Sequence, residues 1–288
     1  WPKSCKKILT AYDYKIDEQF KVWTAEMTEQ GAKYIILQHG GGFGLEKFSI
    51  EEDMQKEMSD TFLTWGWSDM KKSVKKFYSL LLSNQAISQK IGNKDKILIP
   101  FHYHGKYSFS ISSMPKTNID RLNKINDIVL FTNSIKKKIQ KKITIRYLEK
   151  LNKLFLLNFN KNYFNGNISF DKGEKNFFEQ LEKSKIVIHD LNSTTFLQSI
   201  FLNIPTIILL RKNLETIRPK HKGIIKELEK KNIVFYDPIK AAKFVNKNFE
   251  NIDDWWKNKQ VQNLRIKFCN LFAKKSVDPI NDLKLFIT

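Results

Sequence analysis

The second half of the sequence alternates short apolar runs with amphipathic segments, and this alternation limits the fold more than any other feature. Helices are predicted at 174–183, 194–202, 222–230 and 238–248, and the apolar runs between them lie at 186–188, 206–210 and 233–235. Strands that alternate with helices of this length are typical of βαβ units in a parallel sheet. We therefore predict an α/β fold.

The first half has a similar pattern, which predicts a second unit of the same class. Its predicted elements are a helix at 17–30, a strand at 34–38, a helical segment at 46–60 and a strand at 61–67. A stretch rich in Lys, Ser, Asn and Gln at 68–94 then connects the two units. Further elements follow: a strand at 96–103, a helix at 118–140, a strand at 143–147 and a last helix at 253–274.

The predicted domains are therefore residues 1–92 and 93–288, the second carrying the last helix. The chain begins with Trp1, and residues 1–9 lack the apolar core of a signal peptide. These residues read as a loop that runs into a strand. We therefore expect the chain to start inside its first domain, which would be incomplete.

The net charge of +20 could indicate binding to nucleic acid, but the predominance of Lys over Arg argues against it. Only five of the 50 basic residues are Arg, and Lys is spread along the whole chain. A nucleic-acid groove usually recruits Arg for bidentate phosphate contacts, and no nucleic-acid-binding module is recognisable. We expect no nucleic-acid partner. Lys, Asn and Ile are abundant throughout, which indicates an A/T-biased genome more than a binding surface. Attraction of an anionic donor and loose attachment to an anionic membrane are the alternative reasons for the charge.

The few cysteines and histidines predict neither a disulfide framework nor a metal site. Cys5 and Cys269 lie far apart in sequence, so a reducing cytoplasm is the simplest compartment. His102 and His104 are spaced to face one side of a strand, yet no third ligand accompanies them. His221 stands between lysines and is expected to be solvated. We expect no metal and no cofactor.

One candidate site is the loop Gln38-His39-Gly40-Gly41-Gly42, which follows a buried strand. Ligands of open α/β sheets bind beyond the carboxyl ends of the strands, and glycines there let backbone N–H groups approach a ligand closely. His39 is a candidate base for an acceptor hydroxyl. The loop fails the dinucleotide fingerprint, since Leu45 stands where the third Gly is required. The alternative is a purely structural turn.

A second candidate site follows the strand at 186–188, where Asp190 is succeeded by Ser193, Thr194 and Thr195. Any of these hydroxyl residues can cap the next helix. The free N–H groups and the dipole at a helix N-terminus favour phosphate. The alternative is an ordinary helix cap without a ligand.

Arg146, at the end of the predicted strand 143–147, is a third candidate. An arginine there could pair with a donor phosphate. A surface ion pair with Glu149 or another acid is the equal alternative.

Several of these segments together resemble a family of bacterial transferases from surface-polysaccharide gene clusters. The motifs that carry the resemblance are Gln-His-Gly-Gly-Gly-Phe-Gly at 38–44, Ser-Asp-Thr-Phe-Leu-Thr-Trp-Gly-Trp at 59–67, the block from His189 to Thr195, Asn-Ile-Pro-Thr at 203–206 and Asp-Trp-Trp at 254–256. The resemblance runs across nearly the whole chain. The Ser-Thr-Thr block at 193–195 is shared more loosely by many GT-B glycosyltransferases and by the glycerophosphotransferases that resemble them.

The resemblance implies a GT-B-like fold, in which two Rossmann-like domains face a cleft. The second domain would bind a nucleotide-activated donor and the first an acceptor, without metal. Members of the family extend further at the front. Many GT-B donor domains carry a Glu on the helix after the donor loop, where this chain has Gln198. A neutral amide holds a donor hydroxyl less strongly than a carboxylate does.

The predicted function is glycosyl transfer from a nucleotide-sugar donor to a surface-polysaccharide, glycan or lipid-linked acceptor. In this interpretation Arg146, Asp190, Ser193, Thr194, Thr195 and Gln198 belong to the donor site, His39 is catalytic, and Gln38 and Gly40–Gly42 form the acceptor-side loop. The enzyme would work in the cytoplasm or at the inner face of the membrane. A CDP-glycerol-type glycerophosphotransferase is the alternative enzyme, and a basic nucleic-acid-binding protein is the alternative class.

Overall fold

The computed structural model describes residues 1–84, 94–101, 118–147, 163–164, 167–171, 173, 176–211 and 216–288. Within these residues the strands form two sheets, and neighbouring strands are parallel. The first sheet consists of β1 (Lys7–Thr10), β2 (Lys33–Leu37), β3 (Thr61–Thr64) and β4 (Val74–Lys76) in that order. The second consists of β5 (Lys96–Phe101), β6 (Ile143–Tyr147), β7 (Ser169–Asp171), β8 (Ser184–His189), β9 (Thr206–Leu209) and β10 (Val234–Phe235).

Helices connect these strands and cover the sheets. Those of the first part of the chain are α1 (Asp13–Ile16), α2 (Glu18–Glu29), α3 (Ile50–Met58) and α4 (Leu80–Ser83). Those after β5 are α5 (Asn118–Asn133), α6 (Lys137–Gln140), α7 (Phe177–Glu182), α8 (Thr194–Phe201), α9 (Lys222–Lys230), α10 (Pro238–Asn248), α11 (Ile252–Lys257), α12 (Lys259–Phe272) and α13 (Pro279–Ile287). The alternation confirms the predicted α/β class.

The strand order of the second sheet defines where a ligand would bind. From one edge to the other the order is β10-β9-β8-β5-β6-β7, so the chain leaves β5 in one direction and returns to its other side at β8. This is the order of a doubly wound dinucleotide-binding sheet. Such sheets bind ligands beyond the carboxyl ends of the strands at the point of reversal. That point lies between β5 and β8.

The strands of the second sheet are apolar on both faces because helices cover both. Along β5, Ile97 and Ile99 belong to the cluster that α5 and α10 cover, whereas Leu98 packs with Leu181 of α7. Parallel strands buried on both faces read as continuous apolar runs rather than alternating ones. This explains why the sequence located every strand of this sheet except β7, which lies at its edge.

The two sheets share one apolar core. Phe62 of β3, Phe196 and Ile200 of α8, and Phe268 of α12 belong to the same buried cluster. The backbones of the two parts also meet, in an antiparallel bridge between Glu46 and Ile217. The shared core brings the loop after β2 next to the loop after β8.

The last helix, α13, packs on the first sheet. Its side chains Leu283 and Ile287 contact the cluster formed by Ile35, Leu37, Leu63 and Phe77. The Lys7 ammonium donates to the backbone oxygen of Ile287. The sequence analysis missed this helix, since it ended the last helix at residue 274. The domain division at residues 92 and 93 stays a prediction, as does the incomplete first domain.

Other differences from the predicted elements have local causes. The helix predicted at 253–274 is divided at Asn258, whose backbone leaves the helical conformation and whose side chain accepts from the Gln260 N–H at 2.9 Å to cap α12. The helix predicted at 118–140 is likewise divided, into α5 and α6. The segment predicted as a connection at 68–94 contains β4 and α4. Two of the three residues of β4 are exposed lysines at a sheet edge, a composition that resists pairing with other chains and hides the strand pattern. Strand β7 was not predicted either.

The turn after β3 yields a test of the shared core. Gly66 has φ +118°, and a Cβ placed there would lie 2.4 Å from the backbone oxygen of Asn270 in α12. We expect Gly66→Ala to lower the free energy of unfolding by about 2–4 kcal/mol, through backbone strain and overpacking. Urea unfolding measures the change.

Gly223 in α9 supplies the matched control. Apart from its chain neighbours and the backbone of its own helix, no atom lies within 4 Å of its Cβ position. Gly223→Ala should therefore leave the stability unchanged or raise it by up to about 1 kcal/mol. A Gly66→Ala variant as stable as Gly223→Ala would show that α12 does not pack on the turn as described.

Candidate functional site

The loop after β2 and the loop after β8 are in direct backbone contact. The Gly41 N–H donates to Thr194 Oγ1 at 3.0 Å. A Cβ at Gly41 would lie 2.5 Å from the carbonyl carbon of Ser193 and 2.6 Å from the Thr194 nitrogen. Only glycine fits here, because the two backbones touch. The structure thus brings together the two segments that the sequence singled out separately.

Gln38 braces the base of the first loop. It is almost fully buried, and its side-chain N–H donates to the Gly40 oxygen at 2.7 Å. Its Oε1 accepts from the Trp65 N–H at 2.9 Å and from the Trp67 indole N–H at 2.8 Å. One amide therefore ties the ends of β2 and β3 to the loop. Gly42 completes the turn by accepting from the Leu45 and Glu46 N–H groups.

His39 forms a dyad with Glu51. The His39 Nε2 lies 3.3 Å from Glu51 Oε1, and the side chains are 21% and 12% exposed. The other ring nitrogen, Nδ1, is enclosed and has no hydrogen-bond partner. The ring is held edge-on between Tyr12 and Phe43, at centroid distances of 5.1 and 5.4 Å.

Glu51 is held as a carboxylate at neutral pH. Burial alone would raise its pKa, but the hydrogen bonds from His39 and from Lys15, whose Nζ lies 3.0 Å away, outweigh burial and lower the pKa to about 2. The Tyr14 hydroxyl also donates to Glu51 Oε1, at 3.3 Å. A histidine oriented by an ionised carboxylate has the arrangement of an activated general base.

The second loop begins at the buried His189, whose Nε2 lies 2.9 Å from Ser199 Oγ. Ser193 is the residue that caps α8: its Oγ accepts from the Phe196 N–H and bonds Thr195 Oγ1 at 2.8 Å. The predicted cap is therefore confirmed. The free N–H groups of the first turn of α8 lie beside the Gly41 contact.

Two further residues of the predicted donor site, Asp190 and Gln198, are buried around the same helix together with Asn192. Asp190, Asn192 and Gln198 are 5%, 8% and 7% exposed. The Asn192 Oδ1 is enclosed without a hydrogen-bond partner. Asn192 was not among the predicted residues, although it lies within the predicted loop. Buried polar atoms of this kind are available to a ligand.

Arg146 lies apart from this loop, two strands away from β8 in the sheet. It is buried, its Nε lies 3.7 Å from Asp171 Oδ2 of β7, and its guanidinium stacks on Phe177 at 5.2 Å. Burial lowers the pKa of Arg146, and Asp171 partly restores it. An ion pair was one of the two alternatives for this residue. The partner is Asp171, and the pair is buried rather than at the surface.

The sequence analysis missed Glu51, although a signal for it exists. Ser49 caps α3 by accepting from the Glu52 N–H at 3.3 Å, so an acidic residue in the first turn was readable. His221 was predicted wrongly, because it is buried edge-on against Phe272 at 4.9 Å. Burial and the neighbouring Lys220 lower the pKa of His221 to about 4.

Two observations concern metals and membranes. His102 and His104 lie outside the described residues. Among the described ones, no group of three or more His, Cys, Asp or Glu side chains lies close enough to hold a metal ion. The absence of a metal requirement stays a prediction. No helix in the described part of the chain is both long and apolar enough to cross a bilayer.

A family model for the LIC12162 family transferases matches residues 1–287. The chain belongs to this transferase family. The predicted resemblance to a transferase family is thereby confirmed over nearly the whole sequence. No curated protein matches the chain.

Three solved structures show what the fold is similar to. A structure of the wall teichoic acid polymerase TagF is 13% identical, with a TM-score of 0.51 over 88% of this chain and 66% of TagF. A putative UDP-N-acetylglucosamine 2-epimerase from Listeria monocytogenes is 10% identical, with a TM-score of 0.50 over 98% of this chain and 72% of that one. TarM is 10% identical, with a TM-score of 0.49 over 92% of this chain and 52% of TarM.

At these identities the likeness concerns the fold. The TagF and epimerase structures confirm the predicted GT-B-like α/β fold. The chain spans 66% of the TagF chain and 52% of the TarM chain.

The lowered pKa of Glu51 predicts a pH-dependent contribution to stability. The folded-state pKa lies near 2 and the ordinary value is 4.5, so the carboxylate stabilises the fold above the ordinary value. Up to about 3 kcal/mol is lost as the pH falls from about 4.5 to about 2. In urea unfolding, the stability difference between the wild type and Glu51→Gln should therefore shrink over this interval.

Glu18→Gln is the matched control, since Glu18 is 83% exposed and pairs only with Lys21 among the contacts described. The stability difference between the wild type and Glu18→Gln should not shrink in the same way over this pH interval. A Glu51→Gln difference that stays constant with pH would contradict the lowered pKa.

Proposed function

We propose that the chain transfers a sugar from a nucleotide-activated donor to a hydroxyl of a surface polysaccharide or another glycan. The observation that carries the proposal is the contact between Gly41 and Ser193–Thr194. It joins the histidine loop of one sheet to a helix N-terminus at the carboxyl end of a strand in the other. A base for an acceptor and a site for a diphosphate are then neighbours.

The donor diphosphate binds at the first turn of α8 in this proposal. The backbone N–H groups there and the Thr194 hydroxyl donate to its oxygens. Ser193 and Thr195 bond each other, so one of their two hydroxyls is left to donate as well. It cannot lie between Gly41 and Ser193, whose backbones touch, so it binds beside this contact. Asp190, Asn192 and Gln198 are the polar residues that we place beside the ribose or the sugar.

His39 acts as the general base, and Glu51 orients it. The Glu51 carboxylate accepts from Nε2–H, which leaves Nδ1 as the basic nitrogen. Because Nδ1 is enclosed in this structure, the loop around His39 must move before an acceptor hydroxyl can reach Nδ1 and give up its proton. The acceptor oxygen forms a bond to the anomeric carbon. The bond from that carbon to the diphosphate breaks, and the electron pair leaves with the diphosphate, stabilised at α8. Arg146 is left out of the phosphate site, because Asp171 already pairs with it.

A CDP-glycerol-type transfer is the second candidate. One structure of the wall teichoic acid polymerase TagF, with a TM-score of 0.51, was soaked with CDPG. The same helix terminus and base would serve that reaction, in which the acceptor oxygen attacks phosphorus instead of a sugar carbon. Analysis of the product distinguishes the two.

The compartment and the partners follow from the same proposal. Cys5 and Cys269 are unpaired, which suits a reducing cytoplasm. The donor is a nucleotide sugar, and the acceptor is a glycan or a lipid-linked glycan. A lipid-linked acceptor would bring the protein to the inner face of the membrane, where its positive charge favours anionic lipid.

Nucleotide binding tests the donor site. We expect UDP, CDP, GDP, ADP or dTDP to raise the melting temperature, because a ligand of the folded state stabilises it. Replacing Thr194 and Thr195 together by Val should weaken the binding of that nucleotide about tenfold or more, since two hydroxyl donors to a charged group are lost. Thr28→Val is the control, because within the described residues Thr28 Oγ1 bonds only backbone oxygens of α2.

The screen can also fail in an informative way. Binding of RNA or DNA that weakens steeply with salt, together with no shift for any nucleotide, would contradict the donor site and favour the nucleic-acid class.

Substitution of His39 tests the base. We expect His39→Ala to lower kcat about 10²–10⁴-fold, the usual contribution of a general base. The melting-temperature shift caused by the nucleotide should persist, because His39 does not contact the donor. Turnover close to that of the wild type would remove His39 from the mechanism.

A further inference from the structure

Helix α3 has its polar side buried and its apolar side exposed. Glu52 and Gln55 are fully buried, whereas Ile50, Met54 and Met58, spaced four residues apart, are 37%, 55% and 44% exposed. The hydrophobic effect favours the opposite orientation of such a helix. Other interactions must therefore hold α3 in place.

A buried ion network lies under this helix. The Glu52 carboxylate contacts Arg218 Nη2 at 2.6 Å and Lys56 Nζ at 3.0 Å. Its second oxygen accepts from the Gly44 N–H at 2.8 Å. Lys56 continues the network to Asp69 at 3.2 Å. Desolvating these charges is costly, and removing any one partner would leave an uncompensated buried charge.

Arg218 joins this network to the loop of the candidate base. It lies in the segment after β9 of the second sheet, yet its backbone N–H donates to the Leu45 oxygen at 2.9 Å and its Nε to the Glu46 oxygen at 2.8 Å. Its guanidinium stacks on Trp67 at 5.7 Å. One side chain thus holds the end of the loop that begins at His39 and, through Glu52, the helix beneath it.

Glu51 and Glu52 are consecutive on α3 and point about 100° apart around its axis. Glu51 reaches His39, and Glu52 reaches Arg218. A rotation of α3 that buried Met54 would carry both carboxylates away from these partners. We infer that Arg218 is a positioning residue, which holds α3 through Glu52 in the one orientation that keeps Glu51 on His39.

The inference rests on the proposed function only where it concerns turnover, and its main test needs no activity. Arg218→Lys keeps the charge but cannot donate at once to the Glu46 oxygen and to the Glu52 carboxylate. The pKa of Glu51 reports whether α3 has moved, because His39, Lys15 and Tyr14 all face that carboxyl group. It is measured by carbon-13 NMR of the labelled glutamate carboxyls.

We expect Arg218→Lys to raise the Glu51 pKa by about one unit or more, as bonds from His39 and Lys15 loosen. The kcat should fall about tenfold or more, and the KM for the donor should not change, since α8 is untouched. Arg265→Lys is the matched control. Arg265 bonds the Ile200 oxygen at the far end of α8, away from α3, so the Glu51 pKa should stay near that of the wild type.

Glu52→Gln is the second variant. Removal of a negative neighbour would by itself lower the Glu51 pKa, so a rise in this variant can come only from displacement of α3. A Glu51 pKa unchanged in Arg218→Lys and not raised in Glu52→Gln overturns the inference. If neither variant folds, the network is needed for folding as a whole and not specifically for the contact between Glu51 and His39, and the inference is rejected. If the Glu51 pKa rises in these variants and the wild-type protein shows no transferase activity, the positioning role is supported and the proposed function is rejected.

Discussion

The packing of α8 is the constraint on which the rest of the structure depends. Its side chains Phe196 and Ile200 are buried in the core that the two sheets share, so its position is fixed by both. Its first residues then meet Gly41 at a distance that admits no side chain. Because the helix is fixed by its sides, its N-terminus is presented at one defined place. The apolar core and the polar site are consequences of one packing arrangement.

Much of the fold was readable from the sequence where burial is simple. The strands of the second sheet are covered on both faces and read as apolar runs, and helices such as Lys222–Lys230 and Pro238–Asn248 were found with their observed ends. Elements at edges were not readable. Strand β4 is one valine followed by two exposed lysines, and α13 is stabilised by contacts with residues more than 200 positions earlier in the chain. No local pattern encodes such contacts.

The candidate site was readable to the same degree. The polar and glycine residues of each loop are consecutive, so the sequence identified both loops. The contact between the loops joins Gly41 and Thr194, which are 153 positions apart, and no local pattern predicts it. Arg218 escaped prediction because its partner Glu52 lies 166 positions earlier in the chain. Glu51 was missed because the local pattern does not show that α3 turns this residue towards His39. His221 was misread for a related reason: its lysine neighbours indicated solvent, whereas Phe272 of a later helix covers it.

The return of α13 to the first sheet affects how the protein is made. During synthesis, β1 to β4 leave the ribosome long before residues 279–287, which cover Ile35, Leu37, Leu63 and Phe77. The apolar face of the first sheet therefore stays open to water while more than 190 further residues are translated. Domains usually fold in order from the N-terminal side as they emerge. Here the apolar face of the first sheet is covered by α13 only when residues 279–287 dock, so a nascent chain that stops before residue 279 leaves this face exposed to water.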